Sequence, residues 1–439
     1  MLGFYLTLAV VLGGQEAPAM TLDEALAIAE MQAFELRVAE SNIAEARSSR
    51  RIAEAALGPG ATLSGTTQWS NTVTPGAFGQ NGSNVTNTIN LGVSQIIDIS
   101  RVVTLRLDAA TLNVKVNEFA KETVRNDLKS QVRTKYLSVL QAQEFFDIQS
   151  AAVVSAERRL ADAQIRFNAE AIPKFDVLRL ESDLKRLQQA KIQAEGNLRI
   201  AKQDLNNLLA RPIETEFTPV PVENDPEMLR ETAIYVRGSL LNRPELKRAE
   251  AGIEALAKSR EAEQRAALPT LTLSAGHTEI IDPGFGQPER QTSASATVSV
   301  PIVTSGAIKA NTQRAKEQEE RAKILLQQVQ LAVAFEVRVA VTQYETAFAS
   351  YESAKSNRIL AEEALRLAQL RYDEEVGILL DVIVGQQDLV SAQSAEVAAL
   401  YQLRSAYVAL QKAVGVDDLT NLPEATPAPA QGENKEEGQ

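Results

Sequence analysis

Few residues in this chain are equipped for chemistry. Its one histidine, His277, stands alone, and there is no cysteine. Without cysteine there is no disulfide, no thiolate metal ligand, no thiol nucleophile and no lipid-bearing N-terminal cysteine. No phosphate-cradling glycine loop, nucleophile elbow or Cys/His cluster occurs either. The densest acidic group, Asp373-Glu374-Glu375, closes a long helical run and reads as a solvated face. His277 falls in an alternating, strand-like stretch, where it suits a lipid-interface or lumen position far better than a metal ligand or general base. The sequence therefore predicts no enzyme, no cofactor and no metal, so the energy for any transport must come from a partner.

Charge and composition narrow the partners. Lys and Arg number 45 against 57 Asp and Glu, a net charge of −12, whereas nucleic-acid binding needs concentrated positive charge. Aromatics make up 5% and Ala, Leu, Gln, Glu and Arg dominate, the makeup of long packed helices in an elongated molecule. At the N-terminus an apolar run from Leu2 to Leu12 precedes Ala17-Pro18-Ala19, which predicts a signal peptide over 1–19 cleaved near Ala19. No Lys or Arg precedes that run, and the first basic residue is Arg37. The run is too short to span a bilayer, and no other stretch of about 18 apolar residues occurs, so no transmembrane helix is expected.

The elements that must do the work are two rods. Arg101–Ala171 and Ala307–Val376 contain neither glycine nor proline. As single helices at about 1.5 Å per residue, each is on the order of 100 Å long, more than a globule can hold. Before the first rod, Thr21-Leu22-Asp23-Glu24 is a capping box opening a breaker-free helix to Leu57. Gly58-Pro59-Gly60 ends it. Then Ala61, Leu63, Gly65, Thr67 and Trp69 alternate with polar residues, and Ile89, Leu91 and Val93 do so again, a hairpin over 61–97 with a polar loop. After the rod, Ile172-Pro173 turns the chain into a return helix over 175–210, with Leu178, Leu184, Leu187, Leu198, Leu205 and Leu208 as packing positions.

A connector over 211–241 leads to a second copy. Asn242-Arg243-Pro244-Glu245 starts its helix, Pro269 ends it, and strands follow within a hairpin over 270–303. The second rod carries Leu325, Val329, Val333, Val337, Val341, Tyr344, Phe348 and Tyr351 as one apolar face. Gly377 breaks it before a return helix over 378–415. Arg371-Tyr372 matches Arg166-Phe167, Asp381-Val382 matches Asp176-Val177, and Asp388-Leu389 matches Asp183-Leu184, in constant register. This is a tandem duplication, 20–210 and 242–416, followed by a low-complexity tail over 417–439.

The strands are about a dozen residues long, polar on one face and apolar on the other, as in a barrel with lipid outside and water inside. Soluble hairpins capping a coiled coil are the alternative, but no bulky segment remains to cover the apolar face. Four strands cannot close a barrel and lipid does not tolerate open edges, so the chain must oligomerise. Two, three or four copies give eight, twelve or sixteen strands, and spacing alone does not choose.

The residues TLDEAL at Thr21–Leu26, NRPEL at Asn242–Leu246, the Pro59 and Pro269 junctions, and RYDEEVGILLDVIVGQQDL at Arg371–Leu389 together resemble the TolC-type outer-membrane efflux proteins. The resemblance runs from Thr21 to Val416. It implies a mainly α fold, a helical coiled-coil barrel joined to a twelve-strand transmembrane barrel closed by a homotrimer. It also implies an outer-membrane exit duct crossing the periplasm, docked through a periplasmic adaptor to an inner-membrane pump of RND or ABC type, for efflux or type I secretion. The rival reading is a periplasmic coiled-coil structural or adaptor protein without a pore.

By the same resemblance the turns between rod and return helix form the closed periplasmic end, where paired aspartates three residues apart narrow the pore. The matching positions are Asp381 and Val384, so one acidic ring is kept, which would disfavour anions. An N-cap role for Asp381, shared with Asp176, is the other reading of those aspartates. Arg371, Tyr372 and Gly377, with Arg166, Phe167 and Pro173, are implied to form the adaptor-docking tip, although Gly377 and Pro173 also suit plain turn geometry.

Overall fold

The structure, a computed structural model, describes residues 18–72, 82–222, 229–281, 288–374, 376–420 and 422. The expected signal peptide up to Ala17, residues 282–287 of the second hairpin with its Asp282-Pro283-Gly284 turn sequence, Glu375, most of the first hairpin's loop and the tail beyond Leu422 lie outside the described residues.

The chain begins with a two-residue strand β1 (Ala19–Met20), then α1 (Leu22–Gln32) and α2 (Phe34–Ala55). The capping box is formed: the Glu24 N–H donates to Thr21 Oγ1 at 3.2 Å and the Thr21 N–H to the Glu24 carboxylate at 2.9 Å. The single helix expected from Thr21 to Leu57 is instead two, because Ala33 is extended (φ −59°, ψ 130°). No breaker forces this. Ala33 is buried with Ala25, Ala29 and Leu36 in one apolar cluster, and the bend lets both helices turn their small side chains into it, packing overriding propensity.

β2 (Gly60–Thr72) and β3 (Gly82–Ile97) precede α3 (Val102–Asn168), a helix of 67 residues, and α4 (Lys174–Leu208). A second short strand, β4 (Thr218–Pro219), pairs in parallel with β1, a sheet that no alternation announced. The buried Tyr136 hydroxyl fastens it, lying 2.7 Å from the Met20 carbonyl oxygen and 2.8 Å from that of Val220 while accepting the Val220 N–H at 2.9 Å.

The expected connector 211–241 also holds a helix, α5 (Thr232–Asn242), so Asn242 ends one helix rather than capping the next. Arg243 is extended because a residue before proline is pushed out of the helical region, and Pro244 opens α6 (Pro244–Arg265). Then come β5 (Thr270–Ile281), β6 (Arg290–Ser299), α7 (Ala307–Asp373), again 67 residues, and α8 (Leu379–Val414).

The four long strands form one antiparallel sheet in the order β2-β3-β5-β6, with β2 and β6 as its edges among the described residues. The register sets Leu63, Leu91, His277 and Thr292 in one row and Ser64, Asn90, Thr278 and Gln291 in the next. One sheet face therefore gathers Leu63, Leu91, Val93, Leu271, Leu273 and Val298. The other gathers threonines, serines and Asn90, with Ser274 and Ser295 hydroxyls 2.9 Å apart. Along β5 the polar-face residues from Ser274 to Ile280 are the less exposed set.

Two compact units result. One comprises Val38–Glu122 and Pro244–Gln330. It holds the sheet together with helix segments laced by ion pairs, notably Glu319 with Arg260 at 2.7 Å and Lys323 at 2.8 Å. Hydrogen bonds from Lys323 and Arg260 hold the Glu319 carboxyl below its ordinary range despite burial. Asp98 starts α3: its carboxylate accepts the Val103 and Thr104 N–H groups at 3.2 and 2.7 Å. Burial would raise its pKa, but these bonds and the Thr104 hydroxyl hold it below the usual value.

The other unit comprises Met1–Arg37, Thr123–Arg243 and Leu331–Gln439. Its core includes Leu128, Val132, Tyr136, Leu205, Leu209 and Phe217 in one cluster and Tyr235, Val337, Val341, Leu410 and Val414 in another. Of the expected packing positions, Leu184, Leu187 and Leu205 are buried but Leu178 is 53% exposed, since the buried stripe of α4 starts at Leu180. On α7, Val333, Val337, Val341 and Tyr344 are buried whereas Leu325 is 50% exposed. α7 is also the one helix among the described residues long and apolar enough to cross a membrane by composition, although only 22% of its apolar window is buried. No unbroken run marks it, because the average spans interspersed polar residues.

Candidate functional site

The residues singled out at the two helix turns lie in one unit, around two helix ends built alike. α3 ends at Asn168 and the Ala171 N–H reaches back to the Arg166 carbonyl at 2.9 Å, with Glu170 left-handed (φ 59°). α7 ends at Asp373, and the Val376 and Gly377 N–H groups both reach back to the Arg371 carbonyl, at 2.9 and 2.8 Å. This wrapping explains Gly377. A Cβ there would lie 3.0 Å from Arg371 Cβ and 3.1 Å from the Tyr372 nitrogen, closer than a side chain allows without movement.

The two turns touch. The Arg166 guanidinium lies 5.7 Å from the Tyr372 ring centroid and 3.7 Å from the Asp373 carboxylate, so Asp373 is a partner of Arg166 and not just a solvated acid. Beneath them Ala163, Leu180, Leu379 and Ile383 are buried together, with Ile172, Val177 and Tyr372 packed against them. Phe167 and Pro173 flank this cluster, Phe167 38% exposed and Pro173 occupying the N-cap of α4.

Neither aspartate caps a helix. The N-cap of α8 is Ile378, extended at φ −109° and ψ 149°, and that of α4 is Pro173; Asp381 and Asp176 sit in the first turns instead. There a carboxylate still complements the helix dipole. Asp381 and Val384 are both exposed, three residues apart on one face of α8, while Val382 and Ile383 between them and Leu379 and Gln386 to either side are buried. The geometry thus turns an acid and an apolar side chain outward together, on a helix held by its opposite face.

The family model for outer membrane efflux proteins matches residues 25–211 and again 236–416. The chain belongs to the outer membrane efflux protein family. Its place is the outer membrane, and its function is that of an efflux exit channel. Protein CyaE of Bordetella pertussis is 26% identical over 72% of this chain and 67% of its own length. The solvent efflux pump outer membrane protein SrpC of Pseudomonas putida is 26% identical over 87% of this chain and 82% of its own. In fold, the CmeC outer membrane channel of Campylobacter jejuni superposes with a TM-score of 0.76 at 19% identity, covering 90% of this chain and 85% of that one.

For this efflux protein the turns carry a second layer that no motif announced. Arg159 Nη1 donates to Ser155 Oγ and Gln386 Oε1, both at 2.9 Å, while Asp183, buried, accepts from Arg186 at 2.6 Å. Burial pulls the Arg159 pKa down and the nearby Asp183 pushes it back. Asp388, the counterpart of Asp183, is exposed. The matched sequence pair hides this difference, since only the packing of α3, α4 and α8 decides which aspartate is covered. Gly385 belongs to the same layer: a Cβ there would meet Leu365 Cα at 3.3 Å, so glycine lets α8 lie close against α7.

Proposed function

We propose that the chain is a passive exit duct of a tripartite efflux system, assembled as a homotrimer whose three sheets close a twelve-strand barrel. The observation that carries the reading is the four-stranded sheet with one apolar face, one polar face and two open edges, in a chain whose two halves each match the efflux family. Lipid against the apolar face and water against the polar face satisfy both, and pairing the β6 edge of one copy to the β2 edge of the next removes the edges that lipid forbids. The matching element order of the two halves supports a tandem duplication.

In this reading the α3–α4 and α7–α8 turns form the periplasmic end. Asp381 with Val384 lines the constriction, and Arg166, Phe167, Pro173, Arg371, Tyr372 and Gly377 face the periplasmic adaptor, which couples the duct to an inner-membrane pump. Three Asp381 carboxylates in a narrow opening repel anions and draw cations. Fractionation of envelopes tests the assembly: a heat-modifiable, detergent-resistant trimer in the outer membrane is expected, and a soluble periplasmic monomer would overturn the channel. For docking, Arg166→Gln with Arg371→Gln should weaken co-purification of the adaptor, and undiminished co-purification would remove these residues from the interface.

A further inference from the structure

The apolar face of the sheet does not stay apolar to its end. Its rows run Ile97, Leu271, Val298, then Gln95, Leu273, Ala296, then Val93, Ala275, Ala294, with the Gln95 amide turned to the Leu57 carbonyl at 3.4 Å. The next row brings His277 and Thr292 beside Leu91, and the one after it brings Glu279 and Arg290 beside Ile89. Thr67 and Asn87 continue the change above them, beside Ile281, and Trp69 with Val85 form the row beyond. Three successive rows on the side assigned to lipid thus carry polar or charged groups.

The height of this change fits a bilayer boundary. From Leu271 to Glu279 the strand climbs about 27 Å at ~3.4 Å per residue, or about 21 Å along the normal for a strand tilted by ~40°. The apolar band of an outer-membrane barrel is ~25 Å tall. Glu279 and Arg290 therefore reach the level where hydrocarbon gives way to headgroups, with His277 one row inside. Charged side chains are disfavoured at mid-bilayer and tolerated there.

We propose that Arg290 and His277, the latter oriented by Thr292, form a contact site for the phosphate of a phosphorylated outer-leaflet lipid, resting on the reading that this face meets lipid. The donors are arranged for it. Arg290 is mostly exposed and holds only a loose contact with Glu279 at 3.7 Å, leaving most of its planar fork for an oxyanion. His277 Nδ1 lies 2.8 Å from Thr292 Oγ1, and with the hydroxyl donating to Nδ1, Nε2 carries the hydrogen and becomes a second donor. Glu279 steadies Arg290 but opposes the anion, so it tunes the site down.

The test uses the full-length trimer in phosphatidylcholine nanodiscs doped with lipid A, either phosphorylated or dephosphorylated, with lipids retained after detergent release counted by native mass spectrometry. Phosphorylated lipid A should be retained by the wild type, about tenfold less by Arg290→Gln, several-fold less by His277→Ala and at least as well by Glu279→Gln. Dephosphorylated lipid A should be retained weakly and equally by all. Equal retention of the two lipids by the wild type, or undiminished retention by Arg290→Gln, overturns the site. Should Arg290→Gln not assemble, Thr292→Val and His277→Ala decide on the same criterion. The sole tryptophan, Trp69, lies two rows beyond Glu279 on this face, outside the hydrocarbon level. In a Trp69→Phe background, quenching of Leu273→Trp by brominated acyl chains reports separately whether the face meets lipid, so a failed site with that tryptophan quenched leaves the barrel reading standing.

Discussion

Arg101 and Gly306 stand 205 residues apart and both turn the chain left-handed into a long helix, at φ 59° and 84°. Ala210 and Gly415, the same distance apart, both end a return helix at φ 53° and 81°. The half with a side chain at each turn bears strain of about 1 kcal/mol that glycine avoids. Gly306→Ala should accordingly cost about 1 kcal/mol, although no atom stands within 4 Å of the new Cβ, and Ala210→Gly should recover part of that amount. Denaturant unfolding of the detergent-solubilised protein, followed by far-UV circular dichroism, checks both. Tyr136→Phe removes the hydroxyl that fastens β1 to β4 and should cost about 1–3 kcal/mol by stranding buried carbonyl and N–H groups. Asp98 adds a pH dependence. Its folded pKa lies below the unfolded one, so its stabilisation is complete above about pH 5 and is lost as pH falls through the folded value. Asp98→Asn should flatten the stability profile below about pH 4.

The elements differ in how plainly the sequence announced them. The rods and strands were legible because each repeats one period over many residues, and because Gly58-Pro59-Gly60, Ile172-Pro173 and Pro269 punctuate them. The break at Ala33 was not legible, since alanine is the best helix former and only the cluster it joins bends the chain. α5 was missed because its few buried residues, Tyr235, Gly238 and Ser239, make no apolar stripe. At the candidate site the residue types were visible but the contacts were not. Arg166 facing Tyr372 and Asp373 pairs residues about 200 apart, and the burial of Asp183 but not Asp388 follows from packing among three helices. Gly385→Ala tests that packing: the added methyl meets backbone of α7, and a loss of about 1–3 kcal/mol is expected, read as a lower thermal midpoint.

At the scale of the assembled molecule, the acidic ring proposed for Asp381 makes a direct prediction. Asp381→Asn in the reconstituted channel should lower its cation preference in planar bilayers and weaken block by multivalent cations, while Asp176→Asn, on a less exposed side chain, should change both less. The four-strand count has a consequence of its own. Because neighbouring strands alternate in direction from β2 to β6, the last strand of one copy and the first of the next would run opposite ways in the proposed trimer. An even number of strands per copy is thus the condition for a seam that looks like every other strand pair, and one strand fewer would force a parallel seam. The two edges also behave like the ends of a monomer in a polymerisation, each complementary to the other and neither to itself. Such ends stop adding copies only when the chain meets its own beginning, so the angle turned by one sheet, and not the affinity of one edge for another, separates a finite ring from an endless ribbon.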